Sequence, residues 1–187
     1  ETCTSVAHCP TPFSRYGHVL ENFGRYRSAG VRMGLGTDCT PQNLIEEMRT
    51  AAITARIAAG DVGAVTAAHV FEAATIGGAG ALMRNDLGRI ASGAKADIVL
   101  VDTRHPLMMP VHDLLRSLVY SAAERAVRDV YVDGVQVVKD RKVTTLDHMG
   151  ALERLTEAQA RMLRDAPNRD YLGRQADEIV PLSLDRR

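Results

Sequence analysis

The sequence predicts an α/β fold up to about residue 85, then a small antiparallel β unit, then one long helix. Three observations predict it. Two short apolar runs, Ser5 to His8 and Val31 to Gly36, are separated by a helix-patterned segment. Strand-like runs cluster after residue 86, with Asp133-Gly134 between the last two. Asp147 to Arg164 repeats Met149, Leu152, Leu155 and Met162 at helical spacing.

Taken in order, Ser5 to His8 reads as a strand stopped by Pro10 and Pro12, because proline cannot donate to a ladder. His18 to Ala29 reads as a helix, with Val19, Leu20, Phe23 and Tyr26 on one side and Gly30 as its stop. Val31 to Gly36 is the second strand. Thr40-Pro41 opens the next helix, the threonine as cap and the proline at the first helical position. Its apolar positions are Leu44, Ile45, Met48, Ala52 and Ala55, and Glu46 and Glu47 complement the dipole. Thr66 caps a further helix with Val70, Phe71 and Ala74 inward. The stretch Gly77 to Ala81 then predicts close helix packing, since no strand precedes it as a phosphate-binding loop requires.

Leu87 to Ile90, Ile98 to Asp102, Val127 to Val132 and Val135 to Val138 read as strands. Asp133-Gly134 joins the last two as a type I′ turn, whose central residues need positive φ. The tail after Pro167 is polar. The early α/β part cannot close a barrel alone, because eight strand–helix units take about 250 residues.

With 187 residues, 45% apolar and 25% charged, the chain suits one large domain or parts of two. The formal net charge is zero and the basic residues are scattered, with only Arg186 and Arg187 at a chain end. That pattern points away from nucleic acid and anionic membranes as partners. No apolar run approaches the roughly 20 residues needed to span a bilayer. The opening, without an initiator Met and close to a strand-like run, reads as the middle of a longer polypeptide. Cysteines at 3, 9 and 39 form no C-x-x-C pair, so reduced thiols in a cytoplasmic protein are expected.

The sharpest chemical feature is Gly34-Leu35-Gly36-Thr37-Asp38, an apolar strand ending in an acid just before a helix. At the C-terminal end of a parallel strand, such a carboxylate can bind a divalent metal or accept a proton. Spacing alone leaves open that Asp38 only caps a turn. His8 ends the other short strand. It faces a polar pocket or is simply a hydrogen-bonded histidine at a strand terminus. A zinc site from His8, Cys9, Asp38 and Cys39 lacks the tightly spaced pairs of structural zinc sites. The remaining histidines, His69 among them, form no H-x-H or H-E-x-x-H pair, and G-x-S-x-G and P-loop patterns are absent.

At these residues the sequence resembles the C-terminal part of the cytosine deaminase-like, chlorohydrolase-type enzymes of the amidohydrolase superfamily. The resemblance runs from about Val6 to about Leu155, and its pieces stand in the family's order. VAHCP (Val6 to Pro10) is similar to the end of barrel strand seven, and GLGTD (Gly34 to Asp38) to strand eight. NLIEEMRTAA, EAATIGGAGAL, LGRIASGAKADIVLVD, PVHDLLRSLVYSA and VYVDGVQVVKD follow. The resemblance implies a (β/α)₈ TIM-type barrel with a small β-sandwich. Residues 1–85 would supply the last two barrel strands with their helices. Residues 86–144 would supply the C-terminal share of the sandwich, and residues 145–187 a terminal helix and tail.

The resemblance further implies that Asp38 binds the metal and shuttles a proton. One divalent metal, zinc or iron, per complete active site would activate water against a purine-, pterin- or triazine-like ring. Ammonia, an amine or chloride would leave. His8, Arg15, Gln42 and Asn43 are the expected substrate contacts. Beyond the substrate, the implied partners are the N-terminal part of the same protein and, as in many relatives, a second copy. The family's strand-one H-x-H, its other metal histidines and its glutamate are absent here. That absence motivates a rival reading, a non-catalytic remnant that binds or scaffolds. The loops after His8 and Asp38 also differ from the family's usual ones, so dechlorination and amide hydrolysis stay open.

Two barrel strands alone leave unpaired edges, which tend to recruit other chains. The isolated 187 residues are therefore expected to self-associate, to dock with an N-terminal piece, or to aggregate. Light scattering behind size exclusion checks this, and a monodisperse, cooperatively unfolding monomer contradicts it.

Overall fold

A computed structural model of the chain describes residues 4–20 and 23–184. Cys3, residues 21–22 of the expected helix and the terminal Arg186 and Arg187 lie outside the described residues. The chain divides into two compact units, Glu1–Lys142 and Val143–Arg187. The expected boundary near residue 85 falls inside the first.

In the first unit, β1 (Ser5–His8) pairs in parallel with β2 (Arg32–Leu35), from Ser5 opposite Arg32 to His8 opposite Leu35. Between them lie α1 (Pro10–Arg15) and α2 (Phe23–Ser28). Helix α1 corrects the expectation that the prolines only stop β1. Pro10 occupies the first turn, where an amide proton has no partner within the helix, and both Pro10 and Pro12 are buried. Helix α2 is shorter than its apolar pattern, because residues 18–20 are irregular. Gly30 turns the chain after it with a positive φ of 76°, as expected of a stop.

Helix α3 (Leu44–Ala59) follows β2. It begins later than the Thr40-Pro41 signal, which lies in a bend. The cap is Asn43, whose side chain accepts from the Glu46 amide at 3.2 Å. Asn and Asp cap more strongly than Thr, and here the nearer, stronger cap wins. The buried face of α3 carries Met48, Ala51, Ala52 and Ala55. These join Phe23, Met33, Val65, Ala67, Val70, Ala73 and Val119 in the main core. Alanines on that face let α3 approach its neighbours closely, while Phe23 contributes about 2 kcal/mol by its burial.

Thr66 caps α4 (Ala67–Glu72), and His69 completes the box by accepting from the Thr66 amide through its ring. The helical path continues through a π turn (Ala73–Gly77) into α5 (Gly78–Ala81). Val70 is buried, but Phe71, expected inward, is 37% exposed. The small-residue stretch is a close contact with β2. A Cβ on Gly77 would overlap the Met33 carbonyl oxygen, and one on Gly34 would lie 3.3 Å from the Gly78 Cα.

The antiparallel sheet runs in the order β3 (Ile98–Val101), β4 (Val127–Val132), β5 (Val135–Lys139), β6 (Lys142–Val143). Asp133 and Gly134 take φ of 49° and 82°, as the hairpin requires. Leu87 to Ile90 is not a strand. Gly88 adopts a φ of 75° and lies against Thr75, where a Cβ would come within 2.7 Å of the Thr75 carbonyl oxygen. The chain turns there instead of extending. A short α6 (Leu114–Ser117) and a π turn (Leu118–Ala122) lead into β4. A second cluster of Met108, Leu118, Ala122 and Ala126 packs with Ile45 and Val101.

In the second unit, α7 (His148–Arg169) is capped by Asp147 and runs past the expected end, through Pro167. It is followed by α8 (Ala176–Ile179). Among the described residues no helix is long and apolar enough to cross a membrane.

The glycine contact yields a paired test, because Gly77 and Gly78 share helical φ values of −63° and −61°. Gly77→Ala forces a methyl group onto backbone and is expected to cost about 3 kcal/mol in urea unfolding. Gly78→Ala meets nothing nearer than the Ala73 oxygen at 3.6 Å and is expected to be neutral or to stabilise by about 0.5 kcal/mol. Equal effects of the two substitutions contradict the packing account.

Candidate functional site

Parallel pairing makes β1 and β2 end on the same side. The Gly36 amide donates to the His8 carbonyl at 3.0 Å, so the pairing persists to the strand ends. Beyond it the two chains diverge, β1 into α1 and β2 into the Thr37–Thr40 turn. Gly36 allows Cys9 to pass closely, since a Cβ there would lie 3.2 Å from the Cys9 sulfur.

Asp38 sits in this turn with a left-handed φ of 57°, and its side chain is exposed. Asp tolerates that conformation better than most residues. The neighbouring Cys39 amide donates to Thr37. The Asp38 carboxylate reaches the β1 end electrostatically. Burial pushes the Cys9 thiol above its ordinary range, and the Asp38 and Glu47 charges add to that rise. Among the described residues no hydrogen bond or ion pair joins Asp38 to His8.

His8 is only 4% exposed. Its ring centroid lies 5.5 Å from that of Phe23 and 6.4 Å from that of Phe13. Burial pushes its pKa down to about 4, so it is a neutral imidazole near pH 7.

Arg15, at the end of α1, donates to the Cys39 sulfur at 3.6 Å and so lies beside the Asp38 turn. Gln42 is exposed on the approach to α3. Asn43 is committed twice, to the α3 cap and to Glu124, whose carboxylate accepts from its amide at 2.7 Å. That contact holds the Glu124 carboxyl below its usual range. The structure therefore brings Asp38 and Arg15 into one neighbourhood, sets His8 behind it in the core, and turns Asn43 to capping. Glu47 was missed as anything beyond a dipole partner. It is a carboxylate 2% exposed that accepts the Thr11 amide at 3.0 Å. Its place in the first turn of α3 was the only available signal.

Among the described residues, no group of three or more His, Cys, Asp and Glu side chains could hold a metal ion. A zinc site takes about four donors. The four-residue set of His8, Cys9, Asp38 and Cys39 is thus not a metal centre in this structure.

The profile described as the Amidohydrolase family matches residues 2–137. A 5-methylthioadenosine/S-adenosylhomocysteine deaminase of Haloarcula marismortui is 38% identical over 170 residues, covering 89% of this chain and 39% of that protein. An adenosine deaminase from Xanthomonas campestris, solved with bound zinc, superposes with a TM-score of 0.79 at 32% identity. That match covers 84% of this chain and 37% of the other. The atrazine chlorohydrolase of Arthrobacter aurescens, solved with zinc, gives a TM-score of 0.70 at 26% identity over 84% of this chain and 35% of its own. A mixed α/β chain that ends two parallel strands in this way, and aligns in this way, belongs to the amidohydrolase family. It spans about two fifths of the length of the curated relatives it matches.

The buried imidazole makes stability depend on pH. The folded pKa of His8 lies below its unfolded value, so the unfolded state takes up the proton first as pH falls. His8 burial is fully tolerated above about pH 6.5 and loses roughly 3 kcal/mol between pH 7 and pH 4. Urea unfolding across that window should show the decline, and His8→Phe should flatten it. An unchanged slope in the variant would refute this assignment.

Proposed function

We propose that this chain forms part of the active site of a metal-dependent hydrolase that deaminates a nitrogen heterocycle. The carrying observation is the pair of parallel strand ends that sets the Asp38 carboxylate beside the start of α1. In this reading β1 and β2 are the last two, neighbouring strands of a (β/α)₈ barrel. Catalytic groups in such barrels stand at the C-terminal strand ends. Residues 86–144 are the C-terminal share of a composite sandwich, and residues 145–187 a helix and tail.

The named relatives support an aminopurine nucleoside as substrate class. Among the solved relatives, the adenosine deaminase is 32% identical with a TM-score of 0.79, against 26% and 0.70 for the chlorohydrolase. Deamination therefore ranks above dechlorination of a triazine. Water adds to the amine-bearing ring carbon, and ammonia leaves. Asp38 is the catalytic residue and one metal ligand. As a carboxylate it accepts a proton from the attacking water and returns it to the departing amine. Its exposure leaves it open to a substrate at the strand ends. Arg15 and Gln42 contact the substrate beside it. His8, buried behind the strand end, and Asn43, through its cap on α3, contact the substrate less directly and support the residues around Asp38.

Zinc accompanies two of the solved relatives, and a carboxylate oxygen is a fitting zinc donor. One such oxygen is not a site. The described residues do not fit a metal by themselves, and the other donors would come from outside them.

The test uses the complete protein and measures ammonia release from 5-methylthioadenosine together with bound metal. Asp38→Asn keeps the side-chain shape and removes the base. It is expected to lower kcat by at least about 1,000-fold, with a folded protein by circular dichroism. Full activity in this variant, or a wild-type protein that neither binds metal nor releases ammonia, rejects the proposal.

A further inference from the structure

A carboxylate buried without a cationic partner is costly, so the place of Glu47 calls for a physical cause. It projects from the first turn of α3 and is 2% exposed. Among the described residues it takes part in no salt bridge. Its Oε2 accepts the amide of Thr11 at 3.0 Å across 36 residues of sequence.

Thr11 lies in the first turn of α1, whose amides have no partners within the helix. The N-cap residue of α1 is Cys9, and it makes no side-chain cap hydrogen bond. Thiols accept weakly. Glu47 therefore supplies, from another helix, the cap that α1 cannot supply for itself. The other end of α1 is held as well, because Arg15 donates to the Cys39 sulfur beside Asp38 at 3.6 Å. Helix α1 is thus strapped at its start to α3 and at its end to the Asp38 turn. Phe13, between these straps, lies tilted 44° to the His8 ring at 6.4 Å and stays 51% exposed.

We propose that Glu47 is a positioning residue: its buried carboxylate holds α1 by the Thr11 amide and so keeps Arg15 in place beside the Asp38 turn and Phe13 near His8. The catalytic consequence rests on the proposed active site at Asp38, whereas the clamp itself does not. Glu47 acts through α1, and it touches no substrate.

The experiment compares Glu47→Ala with Glu47→Gln in the complete protein. Glutamine keeps an oxygen that can accept the Thr11 amide, while alanine leaves that amide unpaired. Hydrogen exchange followed by mass spectrometry reads the clamp without any substrate. Glu47→Ala is expected to speed exchange across Pro10–Arg15 by about 10-fold or more, with residues 67–81 unchanged. Glu47→Gln is expected to stay within about 3-fold of wild type. On 5-methylthioadenosine, well below the melting temperature, Glu47→Ala should lower kcat about 10-fold with KM raised, and glutamine should restore both.

Unchanged exchange over Pro10–Arg15 in Glu47→Ala overturns the proposal. So does exchange that rises equally throughout the first unit, which is the mark of a general packing role. Kinetic losses that follow melting temperature in both variants overturn the positioning role too. An inactive wild type counts against the deaminase reading alone, and the exchange pattern then still judges the clamp.

Discussion

The parallel pairing of Ser5–His8 with Arg32–Leu35 is the constraint on which the rest depends. A parallel pair cannot be joined by a tight turn, so the chain must cross over between the strands. Here the crossover carries α1 and α2. Because both strands run the same way, their last residues emerge together. That brings His8 and Asp38, 30 positions apart in the numbering, to one end of the same sheet. The pairing extends through Gly36 to His8, and the site begins where it stops.

Close backbone contact holds this pair against its helical layer. Met33 and Gly34 meet Gly77 and Gly78 with no side chain between them. A sheet and helix that touch backbone to backbone have little freedom to slide, since close-packed interiors transmit strain. The alanine face of α3 has the same effect on the other helices, through Ala51, Ala52 and Ala55. The strand ends are thus presented by a tightly packed support, with exposed polar residues such as Asp38 and Gln42 beyond them. This division between rigid scaffold and loop-borne chemistry is general in α/β folds. Unlike the loops, the buried His8 and Glu47 sit where the scaffold meets the site. One is held neutral by its apolar surroundings and the other is satisfied by a helix amide.

Much of the local structure was legible because the signals were local. The β1 span, the β4–β5 hairpin at Asp133-Gly134 and the Thr66 cap follow from a short apolar run bounded by prolines, turn chemistry and capping chemistry within a few residues. The failures were also local signals, overridden by competitors. Pro10 and Pro12 punctuate a strand, yet they equally begin a helix, and the partner of the free Thr11 amide, Glu47, lies far along the chain. Thr40-Pro41 looked like a helix start, but Asn43 is the better cap. Leu87 to Ile90 has strand composition, but Gly88 must turn to clear the Thr75 backbone.

What the sequence determined by itself was the order and type of most elements, and the family. Those depend on residue type at short spacing, and the family pieces stand intact in order. Only the tertiary structure decided which of the polar residues share a neighbourhood. Asn43 and Arg15 look alike as polar residues near strand ends. Folding spends the first on a cap and a Glu124 contact and sets the second beside Asp38. Glu47 reads as one more acid at a helix start, and its burial against Thr11 exists only once α1 and α3 have packed. Hydrogen bonds across tens of residues leave no periodicity behind, so no spacing rule could have foretold them.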